Sequence, residues 1–109
     1  MHTIVELADF TRLWPRYWLE EDYNEFIGYL AANPFAGVVI PNTGGVRKVR
    51  WGKKGSGKSG GVRVIYFTRN ALGEIILITI YAKSVTANLT PANLKDLRHD
   101  YEKISAVKR

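Results

Sequence analysis

The chain has 109 residues, of which 46% are hydrophobic and 12% aromatic, with no cysteine and a formal net charge of +6. That length closes around one core, so a single domain over residues 1–109 is expected; the apolar content excludes disorder, and the missing thiols exclude a disulfide scaffold, a cysteine nucleophile and thiolate zinc sites. No apolar run reaches the ~20 residues of a membrane span. The opening MHTIVELADF lacks the basic and apolar regions of a signal peptide, so a cytoplasmic protein is expected.

Residues 3–7, TIVEL, are β-prone and predict an edge strand; residues 10–18, aromatic-rich but broken by Pro15, predict a short or irregular helix. From Glu20 onward, Tyr23, Phe26, Ile27, Leu30 and Ala31 recur at helical spacing behind acids that suit a helix N-terminus. This amphipathic helix should end at Asn33, because the following Pro34 pushes it out of the α region. FAGVVIPNTGG (35–45) reads as a loop leading into a β region, with Gly44 and Gly45 supplying a turn. VRKVRW (46–51), GVRVIYFTR (61–69) and EIILITIYAK (74–83) are rich in β-branched and aromatic residues; with NALG (70–73) as a turn they predict a three-stranded antiparallel meander. A final helix should start with Thr90 as N-cap and Pro91 as its first residue, carrying Leu94, Leu97, Tyr101 and Ile104 on one stripe. Helices before and after a run of strands make the class α+β: N-terminal helices packed on a twisted antiparallel sheet, then a C-terminal helix.

Charge is unevenly divided along the chain. Residues 1–45 carry −4 and the rest +10, and the stretch 47–63 holds Arg47, Lys48, Arg50, Lys53, Lys54, Lys58 and Arg63 with no acid. Such a field suits a polyanion. Within it, GKKGSGKS (52–59) fits the phosphate-loop pattern G-x-x-x-x-G-K-[ST], but a phosphate loop opens a helix whereas GGVRVIYF here is strand-forming. A basic hairpin loop is the better reading, and nucleotide hydrolysis the weaker alternative.

Strand alternation shows which charges share a face. Lys48 and Arg50 point one way while Val49 and Trp51 point the other; Arg63, Ile65 and Phe67 oppose Val62, Val64 and Tyr66; Leu77, Thr79, Tyr81 and Lys83 oppose Ile76, Ile78, Ile80 and Ala82. If the apolar rows pack on the helices, Lys48, Arg50, Arg63, Tyr81 and Lys83 gather on the opposite, concave side. Lysine and arginine hold phosphates and tyrosine stacks on bases, so binding single-stranded RNA is the minimal reading, with an ordinary solvated sheet face as the alternative.

Cleavage asks for little more. RNA carries its own nucleophile in the 2′-hydroxyl, so the protein need only move protons and stabilise charge on phosphorus, without metal or cofactor. His2, at the terminus, and His99, on the final helix, do not form an acid–base pair. A lysine among cations is the substitute, since neighbouring positive charge disfavours its protonated form.

VRKVRW, the Gly/Lys/Ser loop, GGVRVIYF and LITIYAKSVTANLT followed by a terminal helix resemble the RelE/HigB-type toxins of bacterial type II toxin–antitoxin pairs. The upstream LAANPFAGVVIPNTGGVRK resembles the HigB branch. The resemblance implies a compact RelE-like ribonuclease fold and a ribosome-dependent mRNA interferase that cuts message in the A site and stops translation. It implies a cognate antitoxin, often with a helix-turn-helix domain through which alone the pair meets operator DNA. By the same resemblance Lys48 and Arg50 activate the 2′-hydroxyl and stabilise the phosphate, Arg63 holds the scissile phosphate and Lys83 is the general acid. Residues 85–89, VTANL, hold no aromatic, so Tyr81 or Trp51 would stack on the message, with Arg47, Lys53, Lys54 and Lys58 as further substrate contacts. By charge alone, Lys95, Arg98, Lys103, Lys108 and Arg109 of the terminal helix could rest on ribosomal RNA, with an ordinary solvated polar face as the alternative. The acidic stretch 20–25 does not suit RNA and is left for solubility or protein contact. Two non-cleaving readings stay open: related toxins of this fold bind DNA gyrase, and an RNA-binding module would use the same bases.

Overall fold

The structure, a computed structural model, describes residues 2–52, 61–82 and 89–107, with residues 70 and 104–107 described by backbone alone. Strand β1 (Thr3–Glu6) leads into helix α1 (Ala8–Leu13), a 3-10 turn (Trp14–Arg16) and helix α2 (Glu20–Ala32). Strands β2 (Val38–Val39), β3 (Arg47–Trp51), β4 (Val62–Arg69) and β5 (Glu74–Ala82) follow, and helix α3 (Pro91–Val107) closes the order. The sheet order is β1-β5-β4-β3-β2.

The class is α+β, and the predicted meander is β3, β4 and β5. The sheet is mixed, however, because β1 runs parallel to β5 while the other neighbours are antiparallel. Residue type sets strand propensity but not direction; β1 is fixed by Thr3 lying beside Glu74, its N–H donating to the Gly73 carbonyl at 2.7 Å. Pro15 splits the first helical stretch, as expected, leaving the 3-10 turn after α1.

One face of the sheet takes α1 and α2. Phe10, Trp18, Phe26 and Leu30 pack there on Val49, Val62, Val64, Tyr66, Ile75, Leu77 and Ile80. Burying a side chain of this size contributes ~1.5–3 kcal/mol. At the start of α2 the Asp22 carboxylate accepts the Leu19 N–H at 3.1 Å, one half of a capping box, since Leu19 has no side-chain acceptor to return the bond. At its end, Asn33 donates from its backbone to Tyr29 and Leu30 and from Nδ2 to the Tyr29 carbonyl at 3.0 Å. Glu6 ties β1 to both helices by accepting the Thr11 hydroxyl at 2.7 Å and the Tyr23 hydroxyl. Burial, and then the Glu6 carboxylate, push the Tyr23 phenol well above its ordinary range.

The second face carries a smaller core of Val46, Ile65, Phe67, Ile76, Ile78 and Leu94 under α3. Thr90 caps that helix, its Oγ1 accepting the Asn93 N–H at 3.1 Å. Tyr101 meets Phe67 edge-on, whereas Leu97 is 40% exposed and the Ile104 side chain lies outside the described residues. The turn before β3 places Gly44 at φ 79° and Gly45 at φ 112°, where side chains are strained, and Thr43 braces it by accepting the Val46 N–H at 3.0 Å.

The strict alternation expected along β5 is interrupted. Ile65 pairs with Thr79 but Tyr66 pairs with Leu77, so Ile78 is the extra residue of a bulge. Leu77 and Ile80 consequently join the helix-side core, and Ile76 and Ile78 join the other. The expected grouping of Ile76, Ile78 and Ile80 on one face, with Leu77 opposite, is corrected by that one insertion.

Candidate functional site

Arg50 of β3, Arg63 of β4 and Tyr81 of β5 form one row across three strands, Arg50 opposite Arg63 and Arg63 opposite Tyr81. Lys48 lies two residues along β3 on the same face, in the row of Ile65 and Thr79. The bulge sets this row: continuing the Tyr66 and Leu77 register unbroken would bring Ile80, not Tyr81, opposite Arg63. Lys48 and Arg50 are exposed, Arg63 and Tyr81 half-buried, and Tyr81 leans on the second core. Among the described residues α3 covers the other end of this face, so the basic residues occupy the end that α3 leaves uncovered rather than a wholly open concave sheet. Three cations and a phenol there can hold a phosphodiester and stack a base.

Other predicted residues lie elsewhere. Arg47 points to the helix side, opposite Tyr66, and its Nη1 donates to the Gly37 carbonyl at 2.8 Å while its guanidinium stands 5.0 Å from the Phe35 ring centroid. Trp51 also faces the helices, 5.4 Å from the Phe26 ring and 4.8 Å from that of Tyr29, as part of the packing. Neither side chain is gathered with Arg50 and Arg63. Lys53, Lys54, Lys58 and Lys83 lie outside the described residues, as do the phosphate-loop-like stretch after Gly52 and residues 85–88. His99 is exposed on α3 and His2 is half-buried just ahead of β1. On α3, Lys95 and Lys103 are exposed, but Arg98 lies 5.6 Å over the Phe67 ring and faces the Gly44 and Gly45 turn. Lys108 and Arg109 are outside the described residues.

One feature of the neighbourhood escapes strand alternation. Tyr66, expected only as a core residue, is fully buried, and its hydroxyl accepts the Gly37 N–H at 3.0 Å and donates to the Pro34 carbonyl at 2.9 Å. A tyrosine in a Val/Ile/Phe row is itself the signal, because a buried phenol needs a polar partner. Burial holds this phenol above its ordinary range, with the Gly37 N–H and the Arg47 charge opposing.

Among the described residues no helix is long and apolar enough to cross a membrane, and no three His, Cys, Asp or Glu come together as a metal-binding group. A family model described as the RelE toxin of the RelE / RelB toxin-antitoxin system matches residues 40–108, which span β3, β4, β5 and α3. The match covers more than half of the chain and contains the whole basic row. The chain therefore belongs to the RelE toxin family and is the toxin of a toxin–antitoxin system, with an antitoxin as its partner.

Proposed function

We propose that this toxin is a ribosome-dependent, metal-independent endoribonuclease of the HigB type, which cuts mRNA in the A site and so inhibits translation in the cytoplasm. The observation that carries the reading is the Arg50, Arg63 and Tyr81 row with Lys48 beside it on the same face. In this reading Arg63 and Arg50 clamp the scissile phosphate and stabilise charge on its oxygens, because a guanidinium keeps its proton and forks onto two oxygens. An amine can exchange a proton where a guanidinium cannot, so Lys48 takes the proton of the 2′-hydroxyl. The 2′ oxygen then bonds to phosphorus, the bond to the 5′ oxygen breaks, and Lys83 delivers a proton to that leaving oxygen. A 2′,3′-cyclic phosphate and a 5′-hydroxyl end result. Tyr81 stacks on a base of the message. The antitoxin carries the DNA-binding helix-turn-helix through which the pair meets its operator.

The test adds purified toxin to ribosomes translating a defined message, beside Arg63→Ala, and maps new RNA ends by primer extension. Cuts within A-site codons from wild type, absent with Arg63→Ala while ribosome binding is retained, are expected. Equal cutting by the variant removes the proposed site. Growth arrest without new ends turns the reading to a binding toxin, directed at DNA gyrase or at RNA without cleavage.

A further inference from the structure

Lys48 stands near the edge of the sheet, on a strand whose outer side is paired, among the described residues, with the two residues of β2. Val38 pairs with Lys48 and Val39 with Arg47. Two residues of pairing hold register weakly, so the placement of β2 depends on the segment that delivers it. That segment is gripped at both main-chain groups of Gly37: the N–H by the Tyr66 hydroxyl at 3.0 Å, and the carbonyl by Arg47 Nη1 at 2.8 Å. The same hydroxyl holds the Pro34 carbonyl at 2.9 Å. Gly37 in turn rests directly on the Lys48 backbone, where a Cβ would come within 2.8 Å of the Lys48 carbonyl oxygen and 3.1 Å of Tyr66 Cε1. Only glycine fits between that strand and that ring.

We infer that Tyr66 and Arg47 are positioning residues for Lys48: acting through Gly37 from the helix side of the sheet, they fix the edge of β3 and so the direction in which Lys48 leaves the opposite face. The inference rests on the cleavage reading above. It gives Arg47 a tethering role in place of an RNA contact, although it belongs to the basic run. The phenol remains protonated and able to donate, and the guanidinium remains a permanent donor to a carbonyl. Placement matters because a displacement of about 1 Å in a reacting group costs on the order of 100-fold in rate.

The test compares wild type, Tyr66→Phe, Arg47→Gln and Ile75→Val in ribosome-programmed cleavage, at a temperature where circular dichroism shows all four folded. Ile75 is buried in the same core at the far end of β5 and serves as a packing control. The expected result is a fall in kcat of about tenfold for Tyr66→Phe and Arg47→Gln with KM within about twofold, and unchanged kcat for Ile75→Val. Unchanged kcat in the first two, or an equal fall in the control, overturns the inference. A raised KM with intact kcat in Arg47→Gln overturns it too and returns Arg47 to RNA contact. Should Tyr66→Phe fail to fold, Arg47→Gln alone decides. If wild type leaves every message intact, the cleavage reading fails, and the Lys48 backbone amide, followed by ¹⁵N NMR, decides for the clamp. A shifted, faster-exchanging amide in Arg47→Gln but not in Ile75→Val supports it; an unmoved amide overturns it.

Discussion

Arg50 and Arg63 face each other directly across β3 and β4, at the end of the sheet that α3 leaves open. Two guanidinium groups on neighbouring strands can fork onto one tetrahedral anion, which only the folded state would hold between them. Sulfate or inorganic phosphate at millimolar concentration should therefore raise the melting temperature of wild type, by the mass-action term for a ligand that binds the folded state alone. Arg50→Gln and Arg63→Gln should each lose most of that rise. Cutting by Arg63→Ala should fall by at least ~100-fold, the usual cost of removing one preorganised donor to a transition-state oxyanion. Equal sulfate stabilisation in all three proteins, read by differential scanning calorimetry, would place the anion elsewhere.

Lys58 tests the phosphate-loop pattern. Read as one cation of a basic hairpin loop, Lys58 contributes at most ~1 kcal/mol, so Lys58→Ala should lower cutting by no more than about fivefold and leave it independent of added nucleotide. Loss of all function with Lys58→Ala, together with ATP hydrolysis by wild type, would restore the nucleotide reading that the following strand argues against.

The fold was legible wherever a local signal had one physical meaning. Thr90 before Pro91 defined the start of α3 because a hydroxyl cap and a residue without an N–H suit only a helix N-terminus. Alternation put Lys48 and Arg50 together, since residues two apart share a face whatever the neighbouring strand does, and packing the apolar Val62 and Val64 on the helices sent Arg63 to the same side. What was not legible depended on neighbours. The bulge at Ile78 leaves no mark in a run of β-branched residues, and it exchanged the faces of half of β5. Arg47 shares the parity of Val49 and Trp51, but the Gly37 carbonyl that occupies its guanidinium belongs to the assembled fold and leaves no mark in the basic run. The parallel pairing of β1 is likewise a property of the assembled sheet.

Tyr23 donates to Glu6 in a half-buried site that raises its phenol above the ordinary value of 10.0. A raised folded-state value means that the folded protein holds this proton more tightly than the unfolded chain. The associated stability is fully present below about pH 10 and is lost as pH climbs from there, when the unfolded phenol ionises first. Tyr23→Phe should therefore be less stable than wild type at pH 8 by about 1–2 kcal/mol, toward the lower end for a hydrogen bond to a charged group. The gap should narrow between about pH 10 and 11. Urea titrations at pH values on either side of that window check this, and a gap that widens with pH contradicts the Glu6 bond.

Basic residues on α3 divide into two kinds, and their substitutions should separate. Arg98 is half-buried, 5.6 Å over the Phe67 ring and 3.7 Å from Glu102, so its charge is engaged within the protein. Arg98→Ala should lower stability by about 1 kcal/mol, through the cation–π interaction and its packing, and leave the salt dependence of ribosome binding unchanged. Lys95 and Lys103 are exposed. Replacing both by alanine should leave the melting temperature where it is and flatten the plot of log affinity against log salt by roughly one for each phosphate that α3 no longer neutralises. The opposite pattern, a flattened slope from Arg98→Ala with stability intact, would mean that this arginine leaves Phe67 and reaches RNA when the ribosome binds.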